Sequence, residues 1–334
     1  MTVNKSVAVI IPFYNGAKWV ERAIKSVAEQ TICPDEFFVV NDGALPSERA
    51  FLEGLREKYS FQILDKENGG QGSARNAGVS ATKSAYICFL DQDDFYYPRH
   101  IEDLLGGVAW GDPRFGYVYG DFSSANEAGE INHSNSLRQV GGRHPKVGHI
   151  LEMVGGDLFV LPSASMISRC AFEAVGGFDP QFRGYEDDDL FLRMFRLGYS
   201  SHFIDRAVYV WCMHGGSTSW SFSMSRSRFR YFKKLVDWYP DDVHNGVYPI
   251  RDGLLARFGP AFLKEAIKAR YGRIDNASEI IDYYRYFVGA VCGNPYVDKK
   301  TKSRLRFSAF VVDRLPIPLF GISRLVRRAA RAVR

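Results

Sequence analysis

The stretch Tyr86 to Asp94 reads Y-I-C-F-L-D-Q-D-D, five uncharged residues running straight into three carboxylates and a glutamine. A short apolar run, part aromatic and part β-branched, predicts a strand buried on both faces, as in a parallel sheet. Asp91, Asp93 and Asp94 then leave the sheet at the carboxyl end of that strand, the edge where open α/β sheets bind ligands. The hard oxygens of Asp91 and Asp93 suit magnesium or manganese. An isolated D-x-D also reads as a solvated acidic turn, so the elements around it must decide.

Those elements alternate. Val7 to Pro12 is a second buried-strand pattern, ended by a proline that cannot continue the ladder, and Phe13-Tyr14-Asn15-Gly16 turns. Trp19, Val20, Ala23, Ile24, Val27 and Ala28 recur at helical spacing, with Lys18, Glu21, Arg22 and Lys25 off that face. Phe37 to Val40 reads as a strand, residues 46 to 58 as a helix, Phe61 to Leu64 as a strand, and Ala74, Ala77 and Val79 as a helix after Gly69-Gly70. Strands alternating with helices predict an α/β fold, a mostly parallel sheet with helices on both faces. The polar ends Tyr14-Asn15, Asn41-Asp42-Gly43 and Asp91 to Asp94 then converge on one edge, against the solvated-turn reading. Beyond Trp220 the pattern turns helical.

The segments I-I-P-F-Y-N, V-V-N-D-G, N-G-G-Q-G-S-A-R-N-A-G and F-L-D-Q-D-D resemble the nucleotide-sugar half of glycosyltransferase family 2, inverting enzymes of GT-A fold, of the type that builds bacterial surface polysaccharides. Downstream the resemblance continues through G-G-F-D-P (Gly176 to Pro180), Y-E-D-D-D-L (Tyr185 to Leu190) and H-G-G-S-T-S (His214 to Ser219). It implies a GT-A domain over residues 1–222, with a nucleotide-sugar half 1–120 and an acceptor half 121–222, and leaves 223–334 as a helical C-terminal region.

The resemblance places Pro12, Tyr14, Asn15, Asp42, Gly70, Arg75, Asp91 and Gln92 on a nucleotide-sugar donor. Asp42 would face the nucleobase; a carboxylate accepts from the ring N–H of uracil or thymine, which tilts the donor toward a UDP- or dTDP-sugar. Asn41 stands where the family more often has another acid. Arg75 would reach the base or diphosphate, beside a glycine-led helix start that attracts phosphate. A divalent metal, Mn2+ or Mg2+, would sit on Asp93 directly, with His214 as a further ligand and Asp91 on the metal or its water; Ser217 and Ser219 would touch the diphosphate. Asp94 would cap the helix that Pro98 begins. A sugar hydroxyl needs a base to become a nucleophile, a role the resemblance gives to Asp187, with Glu186 orienting the acceptor, a glycan or lipid-linked sugar. Asp189 and Arg193 stand four apart, the spacing of an intrahelical ion pair. The four acids also fit a plain helix N-terminus.

Two other functions stay open on the residues alone. A sugar-phosphate nucleotidyltransferase would need a glycine-rich basic loop after the first strand, where Pro12 to Gly16 is none. A non-catalytic, membrane-associated sugar-binding protein would not need Asp93, Asp187 and His214 together.

Composition sets the remaining bounds. The 46% hydrophobic and 24% charged residues are those of an ordinary globular protein. Cys33, Cys88, Cys170, Cys212 and Cys292 are scattered in apolar neighbourhoods and read as buried thiols in a reducing compartment. No secretory signal and no membrane span is evident, which predicts a cytoplasmic protein. The net charge of +5 is asymmetric: from Lys299 onward eleven Lys/Arg face one acid, Asp313, a net of +10, so the body carries −5. A body of that sign excludes a general nucleic-acid binder. Ile322, Leu325, Val326, Ala329, Ala330 and Val333 line one face of a helical pattern whose other face is arginine, which with the basic run Lys299 to Arg306 predicts peripheral docking on an anionic inner membrane face. His133, His144 and His149 lie in a Ser/Asn/Gly-rich segment, Phe122 to Gly148, read as a loop with the character of a lid.

Overall fold

The computed structural model describes residues 4–140, 144–145, 148–215, 222–272 and 276–314. Ser217, Ser219 and the helical pattern of 322–333 lie outside the described residues. The chain divides into two compact units, Met1–Val147 with Phe159–Trp220, and Gly148–Leu158 with Ser221–Arg334.

The first unit is built on a nine-stranded sheet. Strand β1 (Val7–Phe13) is buried throughout and pairs in parallel with β2 (Glu36–Asp42) and β4 (Tyr86–Phe89), and β2 pairs in parallel with β3 (Gln62–Lys66). Between them run α1 (Ala17–Ala28), α2 (Pro46–Lys58) and α3 (Gln71–Ala81), as the apolar spacing predicts. Pro12 does not end β1, contrary to the expectation. Ile10 accepts from Leu90 N–H on the β4 side, and the two-residue period turns Pro12 to that same side, beyond the last β4 rung. Its missing N–H therefore has no acceptor to disappoint. Helix α3 lies close on β1 because Gly78 offers no side chain; a Cβ there would sit 2.5 Å from Ile10 Cγ2.

After β4 come β5 (Phe95–Tyr96), α4 (His100–Gly106), β6 (Phe115–Asn126), β7 (Ile131–His133) and α5 (Ser136–Val140). Then follow β8 (Ser165–Ser168), α7 (Arg169–Ala174), α8 (Glu186–Arg196) and β9 (Ser200–Met213), while α6 (Ile150–Val154) belongs to the second unit. Strand order is β3-β2-β1-β4-β8-β6-β9-β5, with β7 beside β6. The parallel character belongs to β1–β4. Beyond them β8 runs antiparallel to both β4 and β6, and β9 parallel to β6, so the whole is a mixed sheet.

The loop expected over Phe122–Gly148 is in part regular structure instead. Phe122–Asn126 complete β6, where Phe122 and Ala125 are buried, and β7 and α5 follow. Ser and Asn masked a strand that buries its small side chains between neighbours. His144 packs on Tyr119, its Nδ1 2.7 Å from the phenol oxygen, and His149 caps α6. The thiols also differ from expectation: Cys88 and Cys212 are buried, but Cys33 and Cys170 are exposed, since apolar neighbours in sequence need not surround a side chain in space.

The second unit is helical: α6, α9 (Phe222–Trp238), α10 (Leu255–Tyr271), α11 (Ala277–Gly293) and α12 (Lys299–Arg314). Phe232, Phe258, Phe262 and Phe287 meet edge-on or tilted in its core, with ring centroids 5.3 to 6.2 Å apart. No helix among the described residues is long and apolar enough to cross a membrane.

Candidate active site

Three loops at the carboxyl ends of β1, β2 and β4 are tied together by side chains. Gln92 accepts from Tyr14 N–H at 2.9 Å and donates to Tyr14 O at 3.2 Å, joining the β4 end to the β1 end. Asn15 accepts from Leu45 N–H at 2.9 Å, joining the β1 end to the β2 end. Tyr14 itself stands exposed, Pro12 is buried, and Gly70 precedes α3 with φ +85°.

Asp42 is buried at the end of β2. Its carboxylate accepts from Gly69 N–H at 2.9 Å, from Gly70 N–H at 2.7 Å and from Lys66 Nζ at 2.6 Å. Three of about four lone-pair positions are filled, so Asp42 fastens the glycine loop. Asn41 donates to Asp65 and accepts from Ala44 N–H, a turn-closing role that an acid in its place would not fill on the donor side.

Arg75 is among the largest fully buried side chains of the described residues. It is enclosed between Phe89 and Phe178, with its guanidinium carbon 5.9 and 5.2 Å from the ring centroids. Nη2 lies 2.5 Å from Asp91 Oδ1 and Nη1 3.3 Å from Glu186 Oε1, so one cation spans the end of β4 and the first turn of α8. Glu186 also accepts from Gln71 Nε2 and from Gly184 N–H at 2.7 Å. Asn76, next along α3, pairs both ways with the Phe178 backbone at 2.8 and 2.9 Å. Arg193 pairs with Asp189 at 2.9 Å, as the spacing predicts, and donates to Val175 O and Gly177 O. The G-G-F-D-P turn is thereby held from both helices.

Asp187 is half-buried at the start of α8 and has no ion-pair partner among the described residues. Its carboxylate accepts from Asp188 N–H at 2.8 Å. Burial first, then the charges of Asp188 and Glu186, push it well above the ordinary carboxylate range, with Arg75 pulling the other way. A carboxylate in that state is a stronger base once deprotonated.

Asp93 and His214 form the other pole. Asp93 Oδ2 and His214 Nε2 are 2.6 Å apart, and the imidazole is stacked on Trp19 with centroids 4.4 Å apart. Burial and then the charge of Asp91 raise the Asp93 carboxyl. Divalent ions of the magnesium type take one or two protein ligands at about 2.1 Å and fill the rest with phosphate and water, and adjacent octahedral ligands then lie about 3 Å apart. Asp93 and His214 fit such an ion with a small opening of their contact. Asp91 has one oxygen on Arg75 and one left over. Among the described residues no three His, Cys, Asp or Glu side chains gather as a metal cage.

Asp94 does not cap the following helix. It is fully committed inward, accepting from Cys212 N–H at 2.8 Å and so pinning β9 to the D-x-D turn, while α4 starts at His100 without a side-chain cap. Burial and the two neighbouring aspartates raise it well above its ordinary range. Sequence reasoning missed Trp19 and Arg22. Trp19 reads as one more apolar position of α1, yet it carries His214. Arg22 reads as a solvated helix residue, yet it donates to Asp93 O at 2.7 Å and Glu127 O at 3.1 Å. Their only signal was a large aromatic and a cation three apart on a helix facing the β4 end.

A family model described as glycosyl transferase family 2 matches residues 8–176. The chain belongs to glycosyltransferase family 2. An uncharacterised glycosyltransferase of Rickettsia prowazekii is 33% identical over 211 residues, 61% of this chain and 62% of that protein. The chondroitin synthase of Pasteurella multocida is 29% identical over 217 residues, 64% of this chain and 21% of that one. This family 2 chain spans between about a third and under two thirds of the length of the first curated relatives it matches. Among solved structures, S. aureus TarS 1-349 in complex with UDP-GlcNAc superposes with a TM-score of 0.62 at 14% identity, covering 98% of this chain and 90% of that one. The Pyrobaculum calidifontis mannosyltransferase in complex with GDP-Man and Mn2+ gives 0.54 at 16% identity, covering 98% and 84%. At such identities the likeness is one of fold, and the fold is GT-A.

Proposed function

We propose that this chain is an inverting glycosyltransferase that moves a sugar from a UDP- or dTDP-sugar to a hydroxyl of a glycan or lipid-linked acceptor, in polysaccharide or lipopolysaccharide assembly. The observation that carries the reading is the Arg75 bridge, which ties the donor-side Asp91 to Glu186, the immediate neighbour of Asp187. The UDP-GlcNAc bound by TarS and the polysaccharide synthases among the relatives support the substrate classes.

Asp187 accepts the acceptor hydroxyl proton as that oxygen attacks the anomeric carbon. The bond to the β-phosphate oxygen breaks, the nucleoside diphosphate leaves with the electron pair, and configuration inverts. Glu186, fixed by Arg75, Gln71 and Gly184, orients the acceptor beside the base. Asp93 and His214 would hold a divalent ion, with Asp91 as a further carboxylate beside it, and Arg22 and Trp19 keep Asp93 and His214 in place. Such an ion supplies Lewis-acid neutralisation of the diphosphate charge. On the donor side Tyr14, Asn15, Gln92 and Pro12 shape the loop over the nucleoside, while Asp42 holds Gly70 against the diphosphate and offers its last lone pair to the base. The cationic C-terminal region brings the enzyme to an anionic membrane surface, where a lipid-linked acceptor resides. A thermal-shift screen of nucleotide sugars with manganese tests the reading: stabilisation by UDP- or dTDP-sugars is expected, and none by any nucleotide sugar overturns it.

A further inference from the structure

Helix α12 has two unlike sides. Leu305, Ser308 and Val312 are buried against the helical unit, and the Ser308 hydroxyl meets Tyr284 OH at 2.5 Å. Arg270 and Tyr271 of α10 donate to the Val312 and Val311 carbonyls, so this side is fastened. Half a turn away around the helix lie Lys299, Lys300, Arg306, Phe307, Phe310 and Arg314, on the outward side. Phe307 is 57% exposed and Phe310 53%, and none of these four cations has an acidic partner among the described residues. The single acid of the helix, Asp313, is turned aside onto Arg285 at 2.8 Å.

A solvated helix face has no use for two adjacent phenylalanines between unpaired cations. Aromatic side chains that enter the acyl boundary, ringed by Lys and Arg that meet phosphate headgroups, are the pattern of a helix lying in a membrane interface. The part of the chain that follows cannot neutralise this face, since residues 315–334 carry five arginines and no acid. Charge complementarity selects an anionic surface and the paired rings select one with an apolar interior.

We infer that the outward face of α12 is a docking surface for anionic phospholipid, with Phe307 and Phe310 as the inserted residues. The inference rests on the membrane placement proposed above and not on the transfer chemistry, and it moves the contact from the terminal arginine-rich segment to a packed helix of the enzyme body.

The test is flotation of the full chain with vesicles of phosphatidylcholine alone and with phosphatidylglycerol added, for the wild type, Phe307→Ser/Phe310→Ser and Arg306→Gln/Arg314→Gln. UDP release from the donor serves as the measure of an intact fold, as no substituted residue belongs to the site. The wild type should float with anionic vesicles only. Each double variant should bind at least about tenfold more weakly with unchanged UDP release, two lost interfacial rings or two lost cations each being enough for that. If the wild type floats and Phe307→Ser/Phe310→Ser floats equally, the terminal segment does the docking and the assignment to α12 falls while the membrane placement stands. If the wild type does not float, or floats with neutral vesicles as well, both fall.

Discussion

Arg75 and Glu186 meet at 3.3 Å although 111 residues separate them in sequence. With Asp91 on its other nitrogen, the buried guanidinium joins the strand end that receives the donor to the helix that opens the acceptor side. Replacing it leaves the buried Glu186 and the part-buried Asp91 without the cation they share. Arg75→Met should lower the unfolding free energy by about 3–5 kcal/mol, the usual cost of breaking a buried ion pair by removing one partner. Arg75→Lys should recover only part of that, because one ammonium cannot fork between two acids. Denaturant melts of both variants give the comparison. Equal stability of wild type and Arg75→Met would mean the bridge holds nothing.

Asp187 gives a pH signature with a definite sign. Its folded-state carboxyl is raised by burial and by Asp188 and Glu186. The unfolded chain then releases this proton first as pH rises through about 4, so the charged form costs stability above that value, and fully so above the folded value. Asp187→Asn removes the cost. Its melting midpoint should exceed that of the wild type at pH 8, and the difference should vanish below about pH 4, where both states are protonated. For the same reason the acid limb of the wild-type rate should fall at a pH above the ordinary carboxylate range.

How much of this was legible beforehand differs by residue. The strands β1, β2 and β4 announced themselves as apolar runs, and Asp189–Arg193 as an intrahelical pair, because burial on two faces and helical spacing are local properties. The second half of β6 was not legible. Phe122-Ser-Ser-Ala-Asn reads as a loop, yet small polar side chains fit between β7 and β9, whose approach no local pattern records. Asp94 was misread for a similar reason: its partner, Cys212 N–H, lies 118 residues on. The motifs named the site residues, but not that Arg75 is enclosed or that Trp19 carries His214.

Gly16 packs against the amide that links two loops; a Cβ there would lie 2.4 Å from Gln92 Cδ and Oε1. Gly16→Ala should therefore displace Gln92 from the Tyr14 backbone and cost about 1–3 kcal/mol, two hydrogen bonds with some strain. The donor KM should rise. Gln92→Ala should reproduce most of the loss, and the double variant should be little worse than either single one. Additive effects would show that the two residues act apart.

The pairing of Asp93 with His214 predicts that metal and nucleotide act together. Manganese with UDP should raise the melting temperature of the wild type more than the sum of each alone. Asp93→Ala and His214→Ala should each abolish that excess while keeping a stabilisation by UDP alone. Chelator should reduce the wild type to the same level. A variant that keeps the full excess is not a ligand.

The most direct test of the account is UDP release by Asp187→Asn, read beside calorimetric binding of the same UDP-sugar. Loss of a positioned general base costs roughly a hundredfold to ten-thousandfold in rate. The account predicts donor affinity within about twofold of wild type and release slowed by at least about a hundredfold. Release at the wild-type rate, with affinity unchanged, would contradict the assignment of the base to Asp187.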